Sequence, residues 1–165
     1  EYLEMIRLKT AVLLAASLKI GARLGGASVE DADRLYDFGM HIGVAFQLKD
    51  DLLDVYGNAK VFGKNIGGDI LCNKKTYMLI KALEHANADQ HNQLNSWINA
   101  ETFQPAEKIA AVTELYDRIG VKAVCENKIL EYSDRAMESL AAVSIAEEKK
   151  EELKKIIESL IHREV

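Results

Sequence analysis

Leucine, isoleucine, valine and alanine return every three or four positions along most of the chain, the spacing of helices with one buried face. The opening stretch, EYLEMIRLKTAVLLAASLKIGARL, predicts a helix from Tyr2 to about Arg23, ended by Gly25-Gly26. Ser28 is placed to cap a second helix, with Glu30 and Asp31 in its first turn. That helix runs to about Tyr56 and stops at Gly57. Residues 57 to 73 hold four glycines and read as a loop. Beyond it the pattern predicts a helix over about Lys74 to Ala86 and a short polar one over about Gln90 to Asn99. Pro105 suits the first position of a helix that closes near Gly120. Another spans about Val121 to Ala142, and Ser144 with Glu147 reads as a capping box for a last helix to about His162. The expected fold class is all-α, with no internal repeat and no domain linker.

Composition narrows this further. At 165 residues one domain is expected, and 48% apolar residues are ample for its core. A net charge of -5 argues against nucleic acid or an anionic membrane as the main partner. No apolar run approaches the roughly 18 to 20 residues that cross a bilayer, so no transmembrane segment is expected, and no signal peptide is visible. Cys72 and Cys125 lie far apart without metal-ligand spacing, which predicts a reduced, cytoplasmic setting. The helical pattern begins at Glu1 with no methionine and no cap before it, so the chain is expected to begin inside something larger. His41, His85, His91 and His162 have no ligand spacing and read as surface groups, and Trp97 as packed against a neighbour. The run EEKKEELKK reads as an exposed helix face with i,i+4 ion pairs.

The stretch FQLKDDLLDVYG changes the picture, because it places three aspartates within five positions of an otherwise apolar helix. At about 100° per residue, Asp50 and Asp54 share one face with Cβ atoms about 5 to 6 Å apart. Gln47 and Gly43 fall on the same stripe, with Gly39 close to it, so the stripe reads as the wall of a cavity. Asp51 lies one residue further round and is expected to reach its rim. Unpaired buried carboxylates would be costly or would protonate, so such a wall calls for cations. Oxygen ligands at this spacing suit Mg²⁺, which keeps several waters and is usually shared with substrate phosphates. An ordinary solvated acid stripe would show the same spacing, so the acids alone leave both readings open. An EF-hand does not fit, since its acids alternate along a loop.

Several lysines bear on that choice. On the first helix Lys9 shares its stripe with Tyr2, Ile6, Leu13 and Ile20, where a lysine either snorkels outward or is held by an anion. Thr10 follows it with a hydroxyl donor. In the glycine-rich loop come Gly63-Lys64 and Gly67-Gly68-Asp69, and then Lys74 and Lys75 open a helix. A loop with lysines before a helix N-terminus suits a phosphate group. Together, carboxylates at magnesium spacing and lysines on separate elements describe a diphosphate site bridged by metal.

Lys9-Thr10, Phe46-Gln47 with Asp50-Asp51-x-x-Asp54, Gly63-Lys64, Gly67-x-Asp69 and Lys74-x-Thr76 resemble the trans-polyprenyl diphosphate synthases, in the C-terminal half of such an enzyme. The resemblance implies the isoprenoid synthase-like fold, a long-helix bundle around a central cavity, of which this chain would be the C-terminal portion. It implies a prenyltransferase that condenses isopentenyl diphosphate with an allylic diphosphate into a longer (E)-polyprenyl diphosphate, and it implies a homodimer. Asp50 chiefly, with Asp51 and Asp54, would hold Mg²⁺ against the allylic diphosphate. Lys9, Lys64 and Lys74 would contact that diphosphate, and Thr10, Phe46 and Gln47 would line the place where the allylic cation forms, Gln47 also facing the diphosphate.

There are two departures from the family pattern. Asn73-Lys74 stands where the family often has Gly-Lys, which keeps the lysine and loses backbone freedom. The first aspartate-rich motif and its arginines do not occur in these residues, so the chain alone is expected to be inactive and product length is unreadable. Two alternatives stand beside the main reading. One is a terpene-cyclising or head-to-head relative, which the Lys-Thr and Phe-Gln pairs disfavour. The other is a noncatalytic partner subunit, which the intact carboxylates disfavour.

Overall fold

The structure is a computed structural model that describes residues 1 to 57 and 66 to 161, the side chain of Ile161 excepted. Among the described residues every regular element is helical. In chain order they are α1 (Tyr2–Ile6), a π-helical turn (Arg7–Ala11), α2 (Val12–Leu24), α3 (Val29–Tyr56), α4 (Gly68–Leu71), α5 (Tyr77–His85), α6 (Ala88–Ile98), α7 (Pro105–Ile119), α8 (Val121–Ala141), a 3₁₀ turn (Glu147–Lys149) and α9 (Glu151–Ile161).

Local chemistry explains most of the boundaries. The Ser28 hydroxyl accepts the Asp31 N–H at 3.0 Å at the start of α3. Asn87 and Gln90 form a reciprocal capping box at α6. Pro105 opens α7, and Gly120 ends it at φ 82°, a left-handed conformation that favours glycine.

Three expected boundaries need correction. The third helix begins at Tyr77 and not at Lys74, because the Thr76 side chain accepts the Leu79 N–H and caps it there. Residues 57 to 73 are not all loop, since Gly68–Leu71 form one helical turn. Ser144 forms no capping box. Its N–H donates to Asp31 Oδ1 at 2.9 Å and its hydroxyl accepts from Arg34 at 3.2 Å, which leaves a 3₁₀ turn before α9.

The contacts of the chain fall into two compact units. The first contains Glu1–Lys49 and the described residues from Asn127 onward. Its buried side chains include Ile6, Ala15, Phe38, Ile42, Leu48, Ile129, Leu140 and Ile157. Within it, α3 approaches the opening helices closely. A Cβ on Gly43 would stand 2.7 Å from Ala11 Cα, and one on Gly39 would stand 2.6 Å from Ala15 Cα. These glycines therefore admit a neighbouring backbone and do not open the cavity wall expected from the sequence. His41 is half-buried with its ring 6.1 Å from that of Tyr132, so it is not a surface group, and burial first, with Arg135 next, pushes its pKa down. His85 and His91 are exposed, and His162 lies outside the described residues. Lys150, in the acidic and basic run, is 2% exposed and reaches the Ala141 carbonyl at 2.9 Å.

The second unit contains Asp50–Glu126, with α4, α5 and α6 all packed on α7. Leu52, Ile70, Met78, Leu94, Val112 and Leu115 are among its buried side chains.

Candidate functional site

The predicted site residues fall into two groups, one in each unit. In the first unit the chain leaves α-helical geometry at Arg7–Ala11, where Lys9 and Thr10 lie on a π-helical turn. Single π turns within helices are frequent at functional sites. Thr10 donates its hydroxyl to Gln47 Oε1 at 3.1 Å, which fixes the amide of a half-buried glutamine. Lys9 is exposed. Leu13 at 74% and Ile20 at 59% are exposed on the same stripe, whereas Tyr2 and Ile6 are buried, so the stripe faces the core only at its start. Phe46 is 42% exposed and borders an apolar cavity of about 120 Å³ with Leu14, Phe38, Ile42 and Leu153.

The second group is built on the last two turns of α3 and on the α4 region. Asp51 is 2% exposed and is therefore not at a rim; its Oδ1 lies 3.3 Å from Lys74 Nζ. Lys74 Nζ also donates to Asp69 Oδ2 at 2.8 Å. Burial works against the charge on Lys74, but the Asp69 hydrogen bond and the charges of Asp51 and Asp69 outweigh it and hold the pKa above its ordinary value. Lys74 is thus a fully protonated cation at neutral pH. Asp54 is half-buried, and its Oδ2 accepts the Asp69 N–H at 2.9 Å. Burial pushes the Asp54 pKa up. The Asp69 N–H and Lys74 oppose that rise, whereas the charges of Asp69 and Asp50 add to it. Asp50 is half-buried one helical turn before Asp54.

Lys64, expected to meet a diphosphate, lies outside the described residues. Asp69 is the partner that sequence reasoning left out of the site. Its signal was its place in the Gly67-x-Asp69 motif, five residues before Lys74, and in the structure Gly67, at φ 83°, turns the chain into α4.

The donor set suits a hard cation. It consists of carboxylate oxygens, and the ionised form of Asp54 is disfavoured as it stands, a penalty that a cation would relieve. Among the described residues no three His, Cys, Asp or Glu side chains gather into a preformed metal cage. Among the described residues no helix is long and apolar enough to cross a membrane.

Residues 1–116 match the family model described as polyprenyl synthetase. The chain is 35% identical over 164 residues to the short chain isoprenyl diphosphate synthase of Methanothermobacter thermautotrophicus, covering 99% of this chain and 49% of that one. Among solved structures, a geranylgeranyl pyrophosphate synthase superposes with a TM-score of 0.91 at 35% identity, over 99% of this chain and 51% of that one. A geranylgeranyl pyrophosphate synthase from Corynebacterium glutamicum, complexed with isoprenyl diphosphate and magnesium, gives a TM-score of 0.84 at 32% identity, over 95% and 44%. The chain spans about half the length of these relatives. With a family model matched over more than two thirds of its residues and the helical fold of those synthases, the chain belongs to the polyprenyl synthetase family.

Proposed function

We propose that this chain is the C-terminal portion of a single all-α prenyltransferase domain that condenses isopentenyl diphosphate with an allylic diphosphate. The observation that carries the reading is the Asp51–Lys74–Asp69 cluster beside Asp54, where a protonated lysine and partly desolvated carboxylates share the α3–α4 region. The relatives named as isoprenyl and geranylgeranyl diphosphate synthases, one of them complexed with isoprenyl diphosphate and magnesium, support the substrate class and the metal.

Each side chain has a part in this proposal. Asp50 chiefly, with Asp51 and Asp54, would hold Mg²⁺. When bound, that ion neutralises charge on the leaving diphosphate. Lys74, kept protonated by Asp69 and Asp51, presents a fixed positive charge to the same oxygens, and Lys9 and Lys64 add theirs. Breaking the allylic C–O bond leaves a carbocation. Gln47, its amide oriented by Thr10, turns an oxygen dipole toward it, and the face of Phe46 adds about 1 to 2 kcal/mol if the contact is desolvated. The double bond of isopentenyl diphosphate attacks the cation and forms the new C–C bond. The proton then lost from the adduct passes to the released diphosphate. A homodimer and a cytoplasmic setting complete the proposal.

The coding sequence upstream of Glu1 tests it. A second D-D-x-x-D followed by arginines is expected, and the protein carrying it should elongate an allylic diphosphate with isopentenyl diphosphate. Continuous coding sequence without that motif, or a protein that binds both substrates without elongation, would reject the proposal in favour of a noncatalytic subunit.

A further inference from the structure

Lys108 is 1% exposed, and it stands in the first turn of α7. Its ammonium lies 4.2 Å from the Phe103 ring centroid and, among the described residues, pairs with no carboxylate. A buried ammonium without a counter-ion is costly and needs a strong acceptor. Lys108 has one in Asn73, to whose Oδ1 it donates at 2.8 Å. The other end of that amide is also used, since Asn73 Nδ2 donates to the Ile98 carbonyl at 2.9 Å.

The backbone at Asn73 explains why its amide is held so firmly. Among the described residues it is the one non-glycine with positive φ, at 52°. Asparagine enters this region more readily than most residues, but the conformation persists only where surrounding contacts over-determine it. The next residue is Lys74. Its N–H donates to the Asp69 carbonyl at 2.9 Å, and its ammonium reaches Asp69 and Asp51. A change of sign in φ at residue 73 would redirect the chain into Lys74 and carry the ammonium away from both acids.

We propose that Lys108 is a positioning residue for Lys74, holding Asn73 in its left-handed turn and so fixing where the Lys74 ammonium stands. The inference rests on the reading of Lys74 as a diphosphate-binding cation. The lysine needs no contact with the diphosphate to do this. Its burial serves the turn, because an ammonium held against the Phe103 ring and away from water has the Asn73 amide to satisfy it. Burial lowers the Lys108 pKa, in keeping with an ammonium short of counter-charge.

Titration with inorganic pyrophosphate in the presence of Mg²⁺, followed calorimetrically, tests the inference. Lys74→Ala should weaken binding, and Lys108→Met should weaken it roughly tenfold, the effect of a turn that costs a little over one kcal/mol to hold. In an Asn73→Gly background, where glycine takes the turn unaided, Lys108→Met should have little effect. A second comparison avoids any folding defect in Lys108→Met. Asn73→Gly and Asn73→Ala both remove the amide, yet only glycine adopts positive φ freely, so the alanine variant should bind roughly tenfold more weakly. Equal affinities for those two variants would overturn the inference, as would an effect of Lys108→Met that is the same in both backgrounds. Unchanged binding in Lys74→Ala would instead overturn the assignment of Lys74 itself.

Discussion

Thr10 Oγ1 and Gln47 Oε1 stand 3.1 Å apart, joining the π-helical turn to the helix that carries the aspartates. The bond links two residues 37 positions apart and lies partly buried. Thr10→Val keeps the shape of the side chain and leaves the amide oxygen without this donor. It should cost about 1 to 2 kcal/mol of stability in urea denaturation, whereas Thr10→Ser should cost much less. If the proposed role of Gln47 holds, Thr10→Val should also lower kcat for elongation more than it raises KM.

The glycines of the first unit should respond with opposite signs. A Cβ on Gly43 would stand 2.7 Å from Ala11 Cα, and the backbone there has no flexible end to give way. Gly43→Ala and Gly39→Ala should each lose roughly 1 to 3 kcal/mol by overpacking. Gly21 lies inside α2 with nothing within 4 Å of a built Cβ. Gly21→Ala should therefore raise stability by about 0.5 to 1 kcal/mol, since alanine has less freedom to lose. Midpoints of urea denaturation for the three variants decide the matter.

Acid should loosen the first unit through Asp31. The Ser144 N–H holds its pKa below 3.8, with the Arg34 and Ser144 side chains adding to the effect against some desolvation. A depressed folded-state pKa means that the stabilisation is fully present above the ordinary carboxylate value. It is lost as pH falls from there through the lower folded value. Asp31→Asn should lower stability at pH 7 and flatten its fall below about pH 4, measured as the urea midpoint against pH. A parallel loss in wild type and variant would reject this role.

Much of the fold was legible in the sequence because helices start and stop on local chemistry. Ser28, Pro105 and Gly120 do at close range what their types suggest. Ser144 looked equally local, but its N–H is taken by Asp31, 113 residues away. The glycines beside the aspartates were visible, yet their purpose was not. Whether a glycine faces a cavity or a neighbouring backbone depends on which helix packs against it. The motif residues of the site were legible as types, and Asp69 was the partner left out. Lys108 had a faint signal, an i,i+4 stripe with Val112 that continues to Leu115 and Tyr116. A lysine in an exposed first turn would show the same spacing.

In the proposed mechanism the α3 aspartates hold a metal ion against a diphosphate. Calorimetric titration of the protein with inorganic pyrophosphate, with and without Mg²⁺, tests it most directly when repeated on Asp50→Ala. Binding should require Mg²⁺ and fall at least tenfold in the variant, with the fold and stability preserved. Binding that is indifferent to Mg²⁺, or that survives unchanged in Asp50→Ala, would contradict it.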